Sequence, residues 1–135
     1  MVTVESKYLG DLRVSSKHLQ SGVEIQTDAP VDNQGKGESF SPTDLLCTAL
    51  ASCMMTIMGI EAKRLNIELK GTTIKTTKFM NLKPRKVSRI KIEIYVPSPN
   101  ISKEHQNILK EAAINCPVAL SLHPELIQDI NFFFG

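Results

Sequence analysis

The chain has 135 residues, a formal net charge of +2 and 5% aromatic residues. That length suits one domain with a core large enough to fold without crosslinks. So small a charge excludes a dedicated polyanion-binding protein, and so few rings argue against a base-stacking surface for nucleic acid.

Residues 2–28 alternate as three short strands, Val2–Tyr8, Leu12–His18 and Val23–Thr27, with turn residues at Gly10-Asp11 and Ser21-Gly22. The stretch APVDNQGKGESF that follows is a polar loop carrying Gly35 and Gly37. Long irregular loops in compact domains are either functional or plain surface excursions. Ser41 then caps a helix, with Pro42 at its first position and Asp44 at its third, where a carboxylate favours the positive helix end. This helix is expected to run to about Leu65. Its apolar run, Leu45–Ile60, is about 16 residues, shorter than the roughly 20 needed to span a bilayer, and carries Thr48, Ser52 and Thr56. A helix apolar nearly all round, outside a membrane, is expected to be buried within a larger body.

Two strands follow, one within Ile67–Phe79 and one over Val87–Val96, where Ile90, Ile92 and Ile94 alternate with Arg89, Lys91 and Glu93. NLKPRK between them reads as a turn. A second helix is capped by Ser102, with Ile101 as a staple residue, and its buried stripe is Ile108, Leu109, Ala112, Ala113 and Cys116. Pro117 ends or kinks it. VALSLHP then makes a short helical turn, and Ile127–Phe134 a last strand. The order βββ-α-ββ-α-β, with no repeat and no linker, describes one α+β domain over residues 1–135. No glycine fingerprint supports a dinucleotide fold. The basic stretch LKPRKVSRIK reads as a charge-guarded sheet edge rather than a nucleic-acid surface.

Three cysteines, an odd number set far apart, do not make a secreted disulfide framework. The opening MVTVES lacks a basic region followed by an apolar core, so a cytoplasmic chain without a secretory signal is expected. Cys47 and Cys53 lie on one helix, separated by about 9 Å of rise and roughly 120° of rotation. A disulfide needs Cα atoms within about 7 Å, so these two cannot pair while the helix is intact. Cys53 shares a face with Leu46, Leu50, Ile57 and Ile60, and Cys47 points elsewhere. If the two helices pack on each other, Cys53 and Cys116 are the pair with a route into contact. The competing reading is that each is a small core residue. His18, His105 and His123 could add metal ligands or a base, but no C-x-x-C or H-x-x-x-H spacing starts a zinc site, so no metal is expected.

SPTDLLCTALASCMMTIMGIEAKR, followed downstream by INCPVALSLHPEL, resembles the OsmC/Ohr family of thiol peroxidases (osmotically inducible protein C and organic hydroperoxide resistance protein). YLGDLR and TDAPVDNQGKGESFSPTDLL are similar to its OsmC-like branch. The resemblance implies an intertwined homodimer, two long central helices per chain wrapped by antiparallel sheets from both subunits, and active sites at the interface. It implies that Cys53 attacks an organic hydroperoxide, that Cys116 resolves the sulfenic acid to a disulfide, and that an external dithiol of the lipoyl type restores both thiols. Cys47 has no family role. No cofactor, membrane or nucleic acid is implied. The family activates its thiol with an arginine from the N-terminal strands, held by a carboxylate from the start of the cysteine helix. Arg13 is the candidate arginine. Thr43 occupies the position of the glutamate found in well-studied members, and Asp44 beside it is the candidate carboxylate. The alternative is a non-catalytic protein of the same fold that holds a small apolar ligand.

Overall fold

Two left-handed residues, Asp11 and Leu12 (φ 53° and 63°), fold the chain back on itself as the two-residue turn of a hairpin. Strands β1 (Val4–Gly10) and β2 (Arg13–His18) flank that turn. A second reversal, at His18–Val23, is closed by the Gly22 amide donating to the His18 carbonyl, and returns β3 (Glu24–Asp28) antiparallel to β2. The computed structural model describes all residues, Met1–Gly135, and divides into two compact units, Met1–Leu46 and Cys47–Gly135. The β1-β2-β3 sheet belongs to the first unit. The loop after β3 contains one 3-10 turn, Val31–Asn33, and closes on itself through the Gly35 amide to Pro30 and the Gly37 amide to Ala29. A Cβ on Gly35 would sit 1.7 Å from the Ala29 carbonyl oxygen, so only glycine allows this approach.

Helix α1 spans Pro42–Arg64, beginning in the first unit and continuing through the second. Its start is a reciprocal cap: the Asp44 amide donates to Ser41 Oγ, and the Ser41 amide donates to the Asp44 carboxylate. Lys63 and Arg64 suit the negative end of the helix. The end itself is set by Asn66 in the left-handed region (φ 58°), with the Asn66 amide on Lys63 and the Ile67 amide on Ala62. That closing motif, and a turn at Gly71 and Thr72, occupy the first residues of the Ile67–Phe79 stretch within which a strand was expected. Strand β4 is Thr73–Leu82.

Strand β5 (Arg85–Val96) pairs antiparallel with β4 up to Leu82 and Arg85, so the turn expected over NLKPRK shrinks to Lys83-Pro84. Helix α2 (Lys103–Ile114) starts at Ser102, whose side chain accepts the His105 amide. A short helix α3 (Pro117–Ser121) and strand β6 (Ile127–Phe134) complete the chain. β6 runs parallel to β5, not antiparallel as expected for the sheets, because the connection crosses over through α2 and α3. The architecture is α+β, with two three-stranded sheets, β1-β2-β3 and β4-β5-β6.

The core of the second unit is drawn from one face of β5 (Val87, Ile90, Ile92, Ile94, Val96), from Leu109 and Ala113 of α2, and from a stripe on α1. That stripe is Cys47, Leu50, Ala51, Met54, Met58 and Ala62, the spacing of a single helix face. The expected all-round burial of α1 is therefore not found in the chain: Ile60 is 60% exposed and Thr48, Ser52 and Thr56 face outward. By length and composition alone, α1 would suffice to cross a bilayer. Its polar outward residues and its stripe in the core of the second unit are what argue against that.

Leu50→Ala should lower the unfolding free energy by about 3 kcal/mol, since the side chain is fully buried and its neighbours close a cavity only in part. Urea denaturation at unchanged slope would show it; a loss under about 1 kcal/mol would mean that Leu50 is not a core residue.

Candidate active site

Pro117 occupies the first position of α3, and the Val118 amide behind it, like every amide of a first helical turn, has no intrahelical acceptor. It is directed at Cys53 Sγ of α1, at 3.5 Å. Cys116, the N-cap of α3, is fully buried, and its side chain is a hydrogen-bond partner of Cys53. Burial pushes the Cys116 thiol above its ordinary value. The Ala119 amide pulls it back, and the neighbouring Cys53 pushes it up again. Cys116 is thereby kept as a neutral thiol that can donate a hydrogen bond to the sulfur beside it. Cys53 is half-buried, whereas Cys47 is 4% exposed, lies within the buried stripe of α1, and is not disulfide-bonded. The structure thus brings Cys53 and Cys116 together and leaves Cys47 out of that pair.

Arg13 lies directly opposite Asp28 in the β2–β3 ladder. Its Nε donates to Asp28 Oδ1 at 2.6 Å and its Nη2 to Oδ2 at 2.9 Å, a two-pronged pair, and Nη2 also reaches Glu38 Oε1 at 3.3 Å. Asp28 is 2% exposed and accepts a further hydrogen bond from the Glu38 amide at 3.0 Å. The Arg13 guanidinium holds the Asp28 carboxyl below its ordinary value against the opposing effect of burial, with help from the Glu38 amide and the charge of Lys36. Asp28 in turn raises Arg13 further.

Asp44 was the carboxylate expected on Arg13. The partners found on Arg13 are Asp28 and Glu38, and the Asp44 carboxylate takes the Ser41 amide in the helix cap. Thr43 Oγ1 is 3.1 Å from Ser41 Oγ in the same cap. Sequence reasoning missed Asp28 and Glu38. The signal for the first lies in the register: the ladder is centred between Gln20 and Ser21, which carries Arg13 opposite Asp28, whereas a count about Ser21-Gly22 gives Pro30. Among the histidines, His18 Nδ1 is 2.6 Å from Ser21 Oγ, and His123 Nδ1 accepts the Glu125 amide. No group of His, Cys, Asp or Glu is arranged to hold a metal ion.

A family model described as OsmC-like protein matches residues 35–129. No curated protein sequence matches the chain. Among solved structures, a protein of Psychrobacter arcticus 273-4, named provisionally as an osmotic stress induced and detoxification response protein, is 52% identical. Its TM-score is 0.94, over 98% of this chain and 96% of that one. An organic hydroperoxide resistance protein from Legionella pneumophila is 13% identical with a TM-score of 0.72, over 98% and 94%. Another, from Elizabethkingia anophelis with crystallant-derived thiocyanate bound, is 14% identical with a TM-score of 0.76, over 100% and 98%. At those two identities the likeness is one of fold.

Two measurements follow from this geometry. In limited alkylation with iodoacetamide near pH ~8, Cys53 should be modified before Cys116 and Cys47, read by peptide mass spectrometry, because only Cys53 combines a thiol with partial exposure. Equal rates at all three would contradict the burial described. The depressed Asp28 carboxyl contributes stability above the ordinary carboxyl value of 3.8, and that contribution is lost as pH falls through the lower folded value. Asp28→Asn should therefore lose less stability than wild type when urea midpoints are compared between about pH 5 and pH 3; parallel losses would contradict the pairing.

Proposed function

The chain belongs to the OsmC-like protein family, and from that premise we propose that it is a thiol-dependent peroxidase for organic hydroperoxides. The observation that carries this reading is the contact of Cys53 with the Cys116–Val118 turn.

Attack on a peroxide requires a thiolate. In the proposed reaction the Cys53 thiolate attacks the terminal oxygen of R–O–O–H and displaces the alkoxide. The O–O bond breaks, an S–O bond forms, and the alkoxide leaves as an alcohol after taking a proton. Cys53 is then a sulfenic acid. The Cys116 sulfur attacks it, water leaves, and a disulfide remains. An external dithiol, of the lipoyl type that the family resemblance implies, returns both thiols by exchange and ends as its own cyclic disulfide. A buried, protonated Cys116 suits this order of events: it does not compete for the peroxide, and it stands beside the sulfur it must later meet. The family resemblance makes Arg13 the candidate for the activating cation of this chemistry. The cycle runs in a reducing compartment, with the cytoplasm as the proposed location.

The active form is proposed to be a homodimer. In the first unit, Val4, Tyr8, Val23 and Ile25 of the three-stranded sheet region are 47%, 62%, 59% and 48% exposed, and Ile60 lies outward on α1. A small sheet with so little of either face buried needs a covering partner. Thr43, in place of the family's glutamate, favours one second reading, a non-catalytic protein of the same fold that binds a small apolar molecule.

Thiol titration before and after cumene hydroperoxide separates the two. The peroxidase loses two thiols per chain, Cys53→Ser loses none, and Cys116→Ser stops at a sulfenic acid that dimedone traps. Two retained thiols in the wild type would select the binding protein.

A further inference from the structure

We propose that Asp28 is the positioning residue for Arg13, and that it ties the direction of the guanidinium to closure of the 29–38 loop. This rests on the catalytic part given above to Arg13, but the argument for it lies wholly within the first unit.

Three donors converge on one buried carboxylate. Arg13 Nε and Nη2 take its two oxygens at 2.6 and 2.9 Å, and the Glu38 amide takes Oδ2 at 3.0 Å. Two parallel bonds fix both the distance and the plane of a guanidinium, which a single bond cannot do. Glu38 differs: its carboxylate contacts Arg13 once, at 3.3 Å, and its side chain is 62% exposed. It is therefore a weak second partner, while its backbone amide is part of the clamp.

The backbone around Arg13 is held in the same way. Leu12, directly before it, adopts φ 63°, a region that a leucine enters at a cost. The Ala29 amide donates to the Leu12 carbonyl, and the Leu12 amide donates to Tyr8 Oη. Residues 28 and 29 thus restrain Arg13 through its side chain and through the peptide that precedes it. The same two residues anchor the loop: the Asp28 amide donates to the Phe40 carbonyl, and Ala29 accepts the Gly37 amide. A strained turn retained by several bonds from one segment is the arrangement expected where a side chain must keep one pose. Loss of the Asp28 carboxylate would release the guanidinium and the Glu38 amide together.

The test uses the full-length protein, 15N-labelled. In wild type the Arg13 Nε–H should exchange slowly with solvent and give a resolved side-chain resonance. Asp28→Asn should abolish that protection and speed exchange of the Glu38 amide, while Glu38→Gln should retain both. Under single-turnover oxidation by cumene hydroperoxide, Asp28→Asn should be slower by about a hundredfold, the loss typical of a misplaced reacting group. Glu38→Gln should be slower by less than about fivefold, the usual limit for an exposed ion pair. Arg13→Ala combined with Asp28→Ala should be no slower than Arg13→Ala alone, because Asp28 acts through Arg13. Multiplied losses in the double variant would overturn the proposal, as would a protected Nε–H in Asp28→Asn. Should Asp28→Asn fail to fold, an Arg13 Nε–H that exchanges in wild type as fast as an exposed arginine's is enough to overturn it. A wild-type protein that keeps its thiols under peroxide overturns the peroxidase reading instead, and the Arg13 resonance still decides for or against the Asp28 clamp.

Discussion

A first-turn amide with no acceptor in its own helix organises the second unit. Pro117 fixes the first turn of α3 and removes one donor, and the next donor, at Val118, ends on a sulfur 65 residues earlier in the chain. That contact ties α3 to the middle of α1 and carries Cys116 with it, so the neighbour of Cys53 is another thiol rather than a hydrocarbon side chain. The rest of the unit supports the arrangement. The isoleucine face of β5 and the Cys47-to-Ala62 stripe of α1 supply the apolar mass, and the Gln128 side chain, donating to the Ala119 carbonyl, fastens α3 to β6.

Burial acts in opposite ways on the two groups that matter most. Cys116 is buried with a sulfur beside it, and the neutral thiol is the form that its surroundings favour. Asp28 is buried just as deeply, yet three directed donors, two of them from a cation, keep it charged. Desolvation alone would raise both; what decides is whether hydrogen bonds are aimed at the ionised form. The chain thus holds one neutral thiol on the sulfur side and one fixed cation on the arginine side. Both are secured by short local segments, the Pro117 turn and the Asp28-Ala29 strand end. Neither requires long-range strain.

Much of this is written locally and could be read locally. Ser41 and Ser102 announce helix starts because caps act over one turn, and both mark the observed starts; Pro117, read as the end or kink of the second helix, is the first residue of α3. The alternation of Ile90, Ile92 and Ile94 gave β5 and its inner face. What escaped was decided at longer range. An α1 that is apolar all round offers no contrast from which to choose a buried face, so Ile60, grouped with Cys53 on one face, turned out outward, while Cys47, a packing residue, lies in the core. The parallel direction of β6 follows from the crossover, not from the strand's own residues. Asp28 was hidden because its importance comes from the register of two strands, whereas Asp44 drew attention by standing next to the cysteine helix. The pairing of Cys53 with Cys116 was legible only as a condition, that the two helices approach; the contact found is made by the Val118 amide of α3, beyond the end of α2.

The account stands on the two sulfurs being close enough to bond without rearrangement of the fold. The most direct measurement is mild oxidation of the reduced protein with diamide, which needs no peroxide chemistry, followed by non-reducing peptide mapping and a near-ultraviolet circular dichroism spectrum. The account predicts a single intrachain link between Cys53 and Cys116, Cys47 still a thiol, and an unchanged spectrum. A link through Cys47, or no intrachain link while the fold is intact, would contradict it.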